Sequence, residues 1–248
     1  MVHSVERDST RGHIMIFFDI DGTLIDHASA SAAASLNFYD HFADRIAFTR
    51  QDFPAIWERI LMTHFQRFTR GETSLWEQRR GRMREVFQDP GLSDVECDSR
   101  YRVFMEQYES RCEAYPDAEP CLSKLEGKDL GIISNGGREQ QVGKLRRSGL
   151  LRYFSVLVFS EDVGVGKPAS GIFLEACRQA GEKPVACAHV GDDLAADVGP
   201  SRALGMQAVW LDRLGLGDGQ ISAPRISTLN HLESVLSGDL RTKQVAEV

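Results

Sequence analysis

The chain reads as an α/β protein, with a doubly wound parallel sheet core and a small inserted α-helical cap domain. Three observations predict this. Five short apolar runs, Ile14–Phe18, Leu130–Ile133, Val156–Phe159, Ala186–Val190 and Ala208–Leu211, each lie beside a turn signal or a helical pattern. Unbroken apolar runs of this length are expected of strands buried on both faces, as in a parallel sheet covered by helices. Helical patterns at Glu139–Ser148, Ser170–Ala180 and Leu194–Leu204 fill the later intervals, whereas more than a hundred residues separate the first two runs.

That long interval is too large for one crossover helix, and its pattern differs. Ala32, Leu36, Tyr39, Ala43 and Ile46 recur at steps of three and four, as do Phe53, Ile56, Ile60 and His64. Cys97, Tyr101, Phe104, Tyr108 and Cys112 repeat the pattern, so the segment is read as amphipathic helices. The turn Tyr115-Pro116-Asp117, with Pro120 beyond it, marks the return. The expected division is a core of residues 13–28 and 117–248, a helical cap of 29–116, and a loose N-terminal arm of 1–12. Met1 to His13 is polar and lacks the apolar run of a signal peptide.

Composition excludes several classes. With 42% hydrophobic and 26% charged residues and only 8 prolines among 248, neither disorder nor a fibrous repeat is indicated. A net charge of −7 argues against nucleic acid or an anionic membrane as partner. No apolar stretch of ~18 residues is available to span a bilayer. The five cysteines are scattered and form no CxxC pair, which argues against a zinc site or a disulfide framework. Reduced, buried thiols in a cytoplasmic protein are the simplest reading.

The chemistry-bearing residues follow the apolar runs. The first ends in Asp19-Ile20-Asp21-Gly22-Thr23. Ligands of open α/β sheets bind outside the carboxyl ends of the strands. Two carboxylates there can hold a hard cation and divide nucleophile and acid/base roles. An Asp-Gly turn with a helix cap would explain Gly22 and Thr23 but not both carboxylates. The second run delivers Ser134-Asn135-Gly136-Gly137, a hydroxyl followed by glycine-rich backbone that suits an anion, although it is also a common turn. After the third run comes Gly164-Val165-Gly166-Lys167-Pro168, which aims a lysine at the same edge and lacks the spacing of a Walker loop. The fourth ends in Gly191-Asp192-Asp193, with Asp197 beyond. Helix capping needs one of these carboxylates, so the cluster points to a divalent metal.

Taken in order, Asp19-x-Asp21-Gly22-Thr23, Ser134-Asn135-Gly136, Lys167-Pro168 and Gly191-Asp192-Asp193 with Asp197 resemble the four motifs of the haloacid dehalogenase superfamily. The resemblance covers residues 13–28 and 117–237, and the helical insertion is similar to that family's cap in position and size. Pro200, where glycine is usual, and Ala169-Ser170-Gly171 depart from the pattern on helix flanks only. The resemblance implies a Mg²⁺-dependent phosphatase. Asp19 would be nucleophile and metal ligand, and Asp21 general acid and base with its carbonyl on the metal. Ser134, Asn135 and Gly136 would bind the phosphoryl group, Lys167 would orient it, and Asp192 would complete the metal site. A carboxylate attacking a phosphate dianion needs cations to offset repulsion, which agrees with Mg²⁺ and Lys167 acting together.

The stretch Arg67 to Arg84 holds six arginines against two glutamates. The plain reading is a solvated helix face. The sharper one is that one or two arginines reach under the cap to a substrate carboxylate or second phosphate. Trp57, Phe65 and Phe68 fit the cap core, and His27 the start of the cap. The expected substrate is a small phosphorylated metabolite, because a lid over a strand-edge site excludes bulk. The protein is expected to be a monomer or homodimer. A phosphomutase or a halide-releasing hydrolase would share the fold, although the latter lack the second aspartate in this family. A non-catalytic phosphate- or metal-binding protein would share it as well.

Overall fold

The computed structural model describes residues 14–215, 217 and 223–237. The arm at 1–12 and the last residues of the core assignment lie outside them. Strand β1 (Met15–Phe18) leads into four long helices, α1 (His27–His41), α2 (Phe53–Thr69), α3 (Leu75–Val86) and α4 (Asp94–Glu109). The chain then alternates through α5 (Ala118–Lys124), β2 (Leu130–Ser134), α6 (Arg138–Arg147), β3 (Val156–Phe159), α7 (Ser160–Val163) and α8 (Ser170–Ala180). It closes with β4 (Cys187–Gly191), a π-helical turn (Leu194–Val198), α9 (Gly199–Ala203), β5 (Gln207–Leu211), β6 (Arg225–Ile226) and α10 (Leu232–Leu236).

The six strands form one sheet in the order β3-β2-β1-β4-β5-β6, with every pairing parallel. All residues of β1, β2 and β4 are buried, as helices on both faces require. The order doubles back beside β1, which lies between β2 and β4, and such a switch point opens a crevice at the carboxyl ends of the strands. β6 went unread in the sequence because two residues, Arg225 and Ile226, carry no alternation.

The chain leaves the sheet and returns at neighbouring points. Ile25 bridges Ala114 in antiparallel fashion, the Asp26 N–H donates to the Glu113 carbonyl, and the Tyr115 N–H donates to the Leu24 carbonyl. Between these points α1 packs on α2 and α4, and α3 packs on the same two helices. Their shared core is aromatic. Trp57 lies 4.2 Å from Phe104 and 5.2 Å from Phe38 between ring centroids. Cys97, Tyr101, Phe104, Tyr108 and Cys112 are all buried, as their spacing predicted.

Two helical readings need correction. The buried face of α1 is Ala30, Ser31, Ala34, Ser35 and Phe38, while Ala32 is exposed and Leu36 and Tyr39 are half-buried. Ala43 belongs to a 3₁₀ turn and Ile46 follows it. The alanine- and serine-rich start of α1 carries no phase of its own, and Phe38 packing on Trp57 and Phe53 sets it. Leu194–Leu204 is also not one regular helix. Its first turn is π-helical and α9 begins anew, because Pro200 has no N–H to continue the ladder. All five cysteines are buried and free. Among the described residues no helix is long and apolar enough to cross a membrane.

Candidate functional site

Asp19, Ser134, Lys167 and Asp192 arrive at the crevice from the ends of four strands. The Asp19 N–H donates to the Val190 carbonyl, which fixes the end of β1 against β4. Gly22 has φ +84° and sits so close to the Asp192 carboxylate that a Cβ would collide with it, so the motif needs glycine on both counts. Thr23 Oγ1 lies 3.3 Å from Asp192 Oδ1, and Trp210 Nε1 donates to the Asp192 carbonyl at 3.0 Å. Asp193 caps the following turn, accepting from the N–H groups of Ala195 and Ala196. Capping therefore accounts for Asp193 and leaves Asp192 and Asp197 to the crevice.

Lys167, only 4% exposed, is the centre of a charge cluster. Its Nζ stands 2.6 Å from Asp19 Oδ1 and 2.6 Å from Asp197 Oδ1. Asp197 Oδ1 is also 2.8 Å from His189 Nε2, and Asp197 Oδ2 accepts from the Asp193 N–H at 3.2 Å. Carboxylate oxygens of Asp19, Asp192 and Asp197 lie within 4.8 Å of one another. Three carboxylates thus gather around one ammonium. Burial pushes Asp19 up to about 8 against the pull of Lys167, with Asp197, Asp192 and Asp21 adding to the rise. Burial also raises Asp192 to about 7, helped by the Asp197 charge. Asp197 moves the other way: burial opposes ionisation, but Lys167 and His189 hold it at about 2.

Asp21 lies outside this cluster. Both of its oxygens face Lys144 Nζ, at 2.6 and 2.8 Å, and Gln141 Nε2 donates to Oδ2 at 3.0 Å. Burial opposes its ionisation, yet Lys144, His27 and Gln141 together hold it down to about 2. In this arrangement Asp21 accepts protons rather than donating them. His27 lines the same cavity and lies 2.6 Å from the Tyr108 hydroxyl through Nδ1.

The second motif is arranged differently from a simple anion cradle. Ser134 is buried, and its hydroxyl accepts from Gln141 Nε2 at 3.0 Å. Asn135 instead clamps the lysine loop: its Nδ2 donates to the Lys167 carbonyl and its Oδ1 accepts from the Lys167 N–H. The Gly136 N–H donates to Ser160 Oγ at 2.8 Å. Of the three residues expected to bind phosphoryl oxygens, Asn135 and Gly136 thus have internal partners, and the Ser134 hydroxyl at the cavity wall donates only a long hydrogen bond, 3.5 Å, to the Asn135 carbonyl.

Lys144, Gln141 and His189 went unremarked in the sequence. Gln141, Lys144 and Leu145 are the buried residues of α6, and their i, i+3, i+4 spacing marks the inward stripe of a helix. Two polar residues on such a stripe were the available signal. His189 sits mid-strand in β4, fully covered, with nothing in its neighbours to set it apart.

The site opens into a cavity of about 240 Å³, lined on the sheet side by Asp19, Asp21 and Lys167. The inserted helices contribute Phe65, Arg82, Tyr101 and Tyr108. Phe65 is half-buried in this lining and Phe68, also half-buried, lies 5.7 Å from it between ring centroids, whereas Trp57 belongs to the helical core.

The arrangement is matched in known proteins. A family model described as haloacid dehalogenase-like hydrolase matches residues 15–205. Pyrimidine 5'-nucleotidase YjjG of Escherichia coli is 30% identical over 225 residues, covering 89% of this chain and 96% of that protein. Phosphoserine phosphatase of Thermus thermophilus is 33% identical over 132 residues, and the match spans only about half of each protein, 52% of this chain and 53% of the relative. Among solved structures, the HAD phosphatase from Thermococcus onnurineus superposes with a TM-score of 0.68 at 28% identity, covering 91% of this chain and 98% of that one. The 2-haloacid dehalogenase from Pseudomonas syringae pv. Tomato gives the same TM-score and identity, with 91% and 99% coverage. The family match covers β1 to β4 and the inserted helices alike, and the chain belongs to the haloacid dehalogenase-like hydrolases.

Proposed function

We propose that this protein is a Mg²⁺-dependent phosphatase that hydrolyses a small phosphorylated metabolite through a covalent phosphate on Asp19. The observation that carries the reading is the position of Asp19, a buried carboxylate held 2.6 Å from Lys167 at the floor of a cavity shared with Ser134, Asp21 and Asp192. The names of its relatives cover an amino-acid phosphate, a nucleotide and several sugar phosphates, which supports the reaction class and leaves the substrate open.

The donor set suits magnesium. Both oxygens of Asp197 are engaged by Lys167, His189 and the Asp193 N–H, while Asp19 and Asp192 each keep an unshared oxygen, and burial disfavours their ionised forms unless a further cation is present. Asp19 and Asp192 would hold the ion, which takes oxygen ligands and keeps several waters. When bound, it offsets the charge between the carboxylates and a phosphate dianion.

The chain's own residues supply the rest. Lys167 and the Ser134 hydroxyl orient the phosphoryl oxygens. An oxygen of Asp19 attacks phosphorus, the bond from phosphorus to the ester oxygen breaks, and the departing alkoxide takes a proton. A water then attacks the phospho-aspartate, gives its proton to Asp21 and releases inorganic phosphate, restoring Asp19. The Asp21–Lys144 pair suits the second step as it stands. For the first, the pair must open so that Asp21 carries the proton to the leaving oxygen.

Dehalogenases of this family lack the second aspartate, and the built contacts of Asp21 with Lys144 and Gln141 favour phosphate chemistry over halide release. A screen of phosphorylated metabolites for phosphate release, with and without Mg²⁺, tests the proposal. Release that depends on the metal is expected. Absence of turnover on every ester, with ligand binding intact, would instead indicate a non-catalytic binding protein.

A further inference from the structure

Of the six arginines between Arg67 and Arg84, five have charged or hydrogen-bonding partners, although the buried Nε of Arg79 is left without one. Arg67 and Arg70 face Glu72, Arg80 pairs with Asp94 and Asp98, Arg84 pairs with Asp94, and Arg79 donates to Gln140. Arg82 differs. It is 4% exposed, which overturns the solvated-face reading at this position, and it lines the cavity that Asp19 floors. Its Nη2 has no hydrogen-bond partner among the described residues. One turn earlier in α3, Gln78 is 2% exposed, lines the same cavity and leaves its Oε1 without a partner.

A guanidinium cannot shed its charge when buried, so a counter-charge must come from elsewhere. Aromatic rings offset part of the cost: the Arg82 Cζ lies 4.9 Å from the Trp57 ring centroid and 5.3 Å from that of Tyr101. Rings attract the face of the fork, and the Tyr101 hydroxyl answers part of its edge, but the Nη2 donors are left without a partner. Glu58 lines the cavity, and its charge favours the guanidinium without satisfying Nη2.

We infer that Arg82 is a specificity determinant that receives a second oxyanion carried by the substrate. The substrate class is then a small phosphomonoester bearing a carboxylate or a second phosphate, with one anion at Asp19 and Lys167 and the other at Arg82. This rests on the phosphatase reading of the site. The planar fork matches either oxyanion through two parallel N–H donors. A cavity of about 240 Å³ leaves room only for a short skeleton between them.

Calorimetric titration with non-hydrolysable phosphonates in Mg²⁺ buffer tests this without turnover. The ligands are propylphosphonate, 3-phosphonopropionate and propane-1,3-diphosphonate. In the native protein at least one dianchored ligand is expected to bind about tenfold or more tighter than propylphosphonate, and the tighter of the two identifies the anion. Arg82→Gln should bring the ratio to within about twofold, and Arg82→Lys, which keeps a charge without the fork, should retain part of it. The native ratio is read without any variant, so a failure of Arg82→Gln to fold does not protect the inference. Equal binding of all three ligands, or a preference that survives in folded Arg82→Gln, would overturn the role of Arg82 alone. If none binds, the phosphate site itself is wrong and both readings fall.

Discussion

Lys144 Nζ lies 2.6 Å from one oxygen of Asp21 and 2.8 Å from the other, with the Tyr108 ring 5.2 Å away. The lysine is 1% exposed and no other side chain pairs with Asp21 so closely among the described residues. Removing the ammonium would leave a carboxylate at the cavity with no cation and loosen its position. Lys144→Met is expected to lower kcat on an alkyl phosphate by about 10²-fold and to destabilise the fold by about 2–3 kcal/mol. Lys144→Arg should recover part of both. Steady-state kinetics and urea unfolding of the two variants read this, and a Lys144→Met enzyme with native kcat would remove Lys144 from the mechanism.

The two aspartates separate by the step each serves. Asp19→Asn removes the nucleophile and should abolish turnover on every substrate, aryl or alkyl. Asp21→Asn should still be phosphorylated by nitrophenyl phosphate, whose leaving group hardly needs a proton, and then stall because water lacks its base. Acid-quenched Asp21→Asn protein should therefore carry a hydroxylamine-labile phosphate on the peptide containing Asp19. Label on a serine or histidine would show the nucleophile to be wrongly assigned.

Asp19, Asp192 and Asp197 share one Lys167, so hydrolysis should stop in excess chelator and return with added Mg²⁺. Asp192→Asn should raise the Mg²⁺ concentration giving half-maximal rate by about tenfold or more, the loss of one charged ligand. Titrating Mg²⁺ against rate for both proteins checks this. Full activity in chelator would remove the metal from the reading.

Asp117, at the return from the helices, ties the sheet's far edge to the crossing point. It accepts from both terminal nitrogens of Arg213 at 2.9 Å, from Thr228 Oγ1 at 2.6 Å and from the Leu229 N–H at 2.9 Å. Burial opposes ionisation, but these donors hold the carboxyl below its ordinary value. A depressed folded pKa means the stabilisation is complete above the unfolded value, about pH 4, and is lost as pH falls through the folded value. Asp117→Ala should cost about 2–3 kcal/mol near neutral pH, and its deficit should shrink below about pH 4. Urea midpoints measured against pH would show parallel curves if the carboxylate carried no such weight.

Much of the molecule was legible in one dimension because its determinants are local. Five apolar runs announced β1 to β5, since strands buried between helical layers carry few polar residues, His189 in β4 being one that is paired inside. The 3- and 4-step recurrence of Cys97, Tyr101, Phe104 and Tyr108 announced α4. Asp19 and Asp192 were legible because a residue just past a buried strand emerges at one edge of the sheet, and Lys167 because the glycines before it and the proline after it mark the loop that opens α8. Where the chain itself supplies no phase, as in the alanine-rich α1, sequence periodicity chose the wrong face.

What only the tertiary structure decided is who partners whom. Nothing in the order of residues says that Lys144 belongs to Asp21 rather than to solvent, that Asn135 clamps the Lys167 backbone, or that Asp193 alone does the capping. Nor does it say which of six arginines loses its water. These pairings join residues up to 123 positions apart, and they follow from which helix face meets the sheet edge when the core closes. Burial then converts each one from an optional surface contact into a requirement, because a charge removed from water must find its counterpart inside.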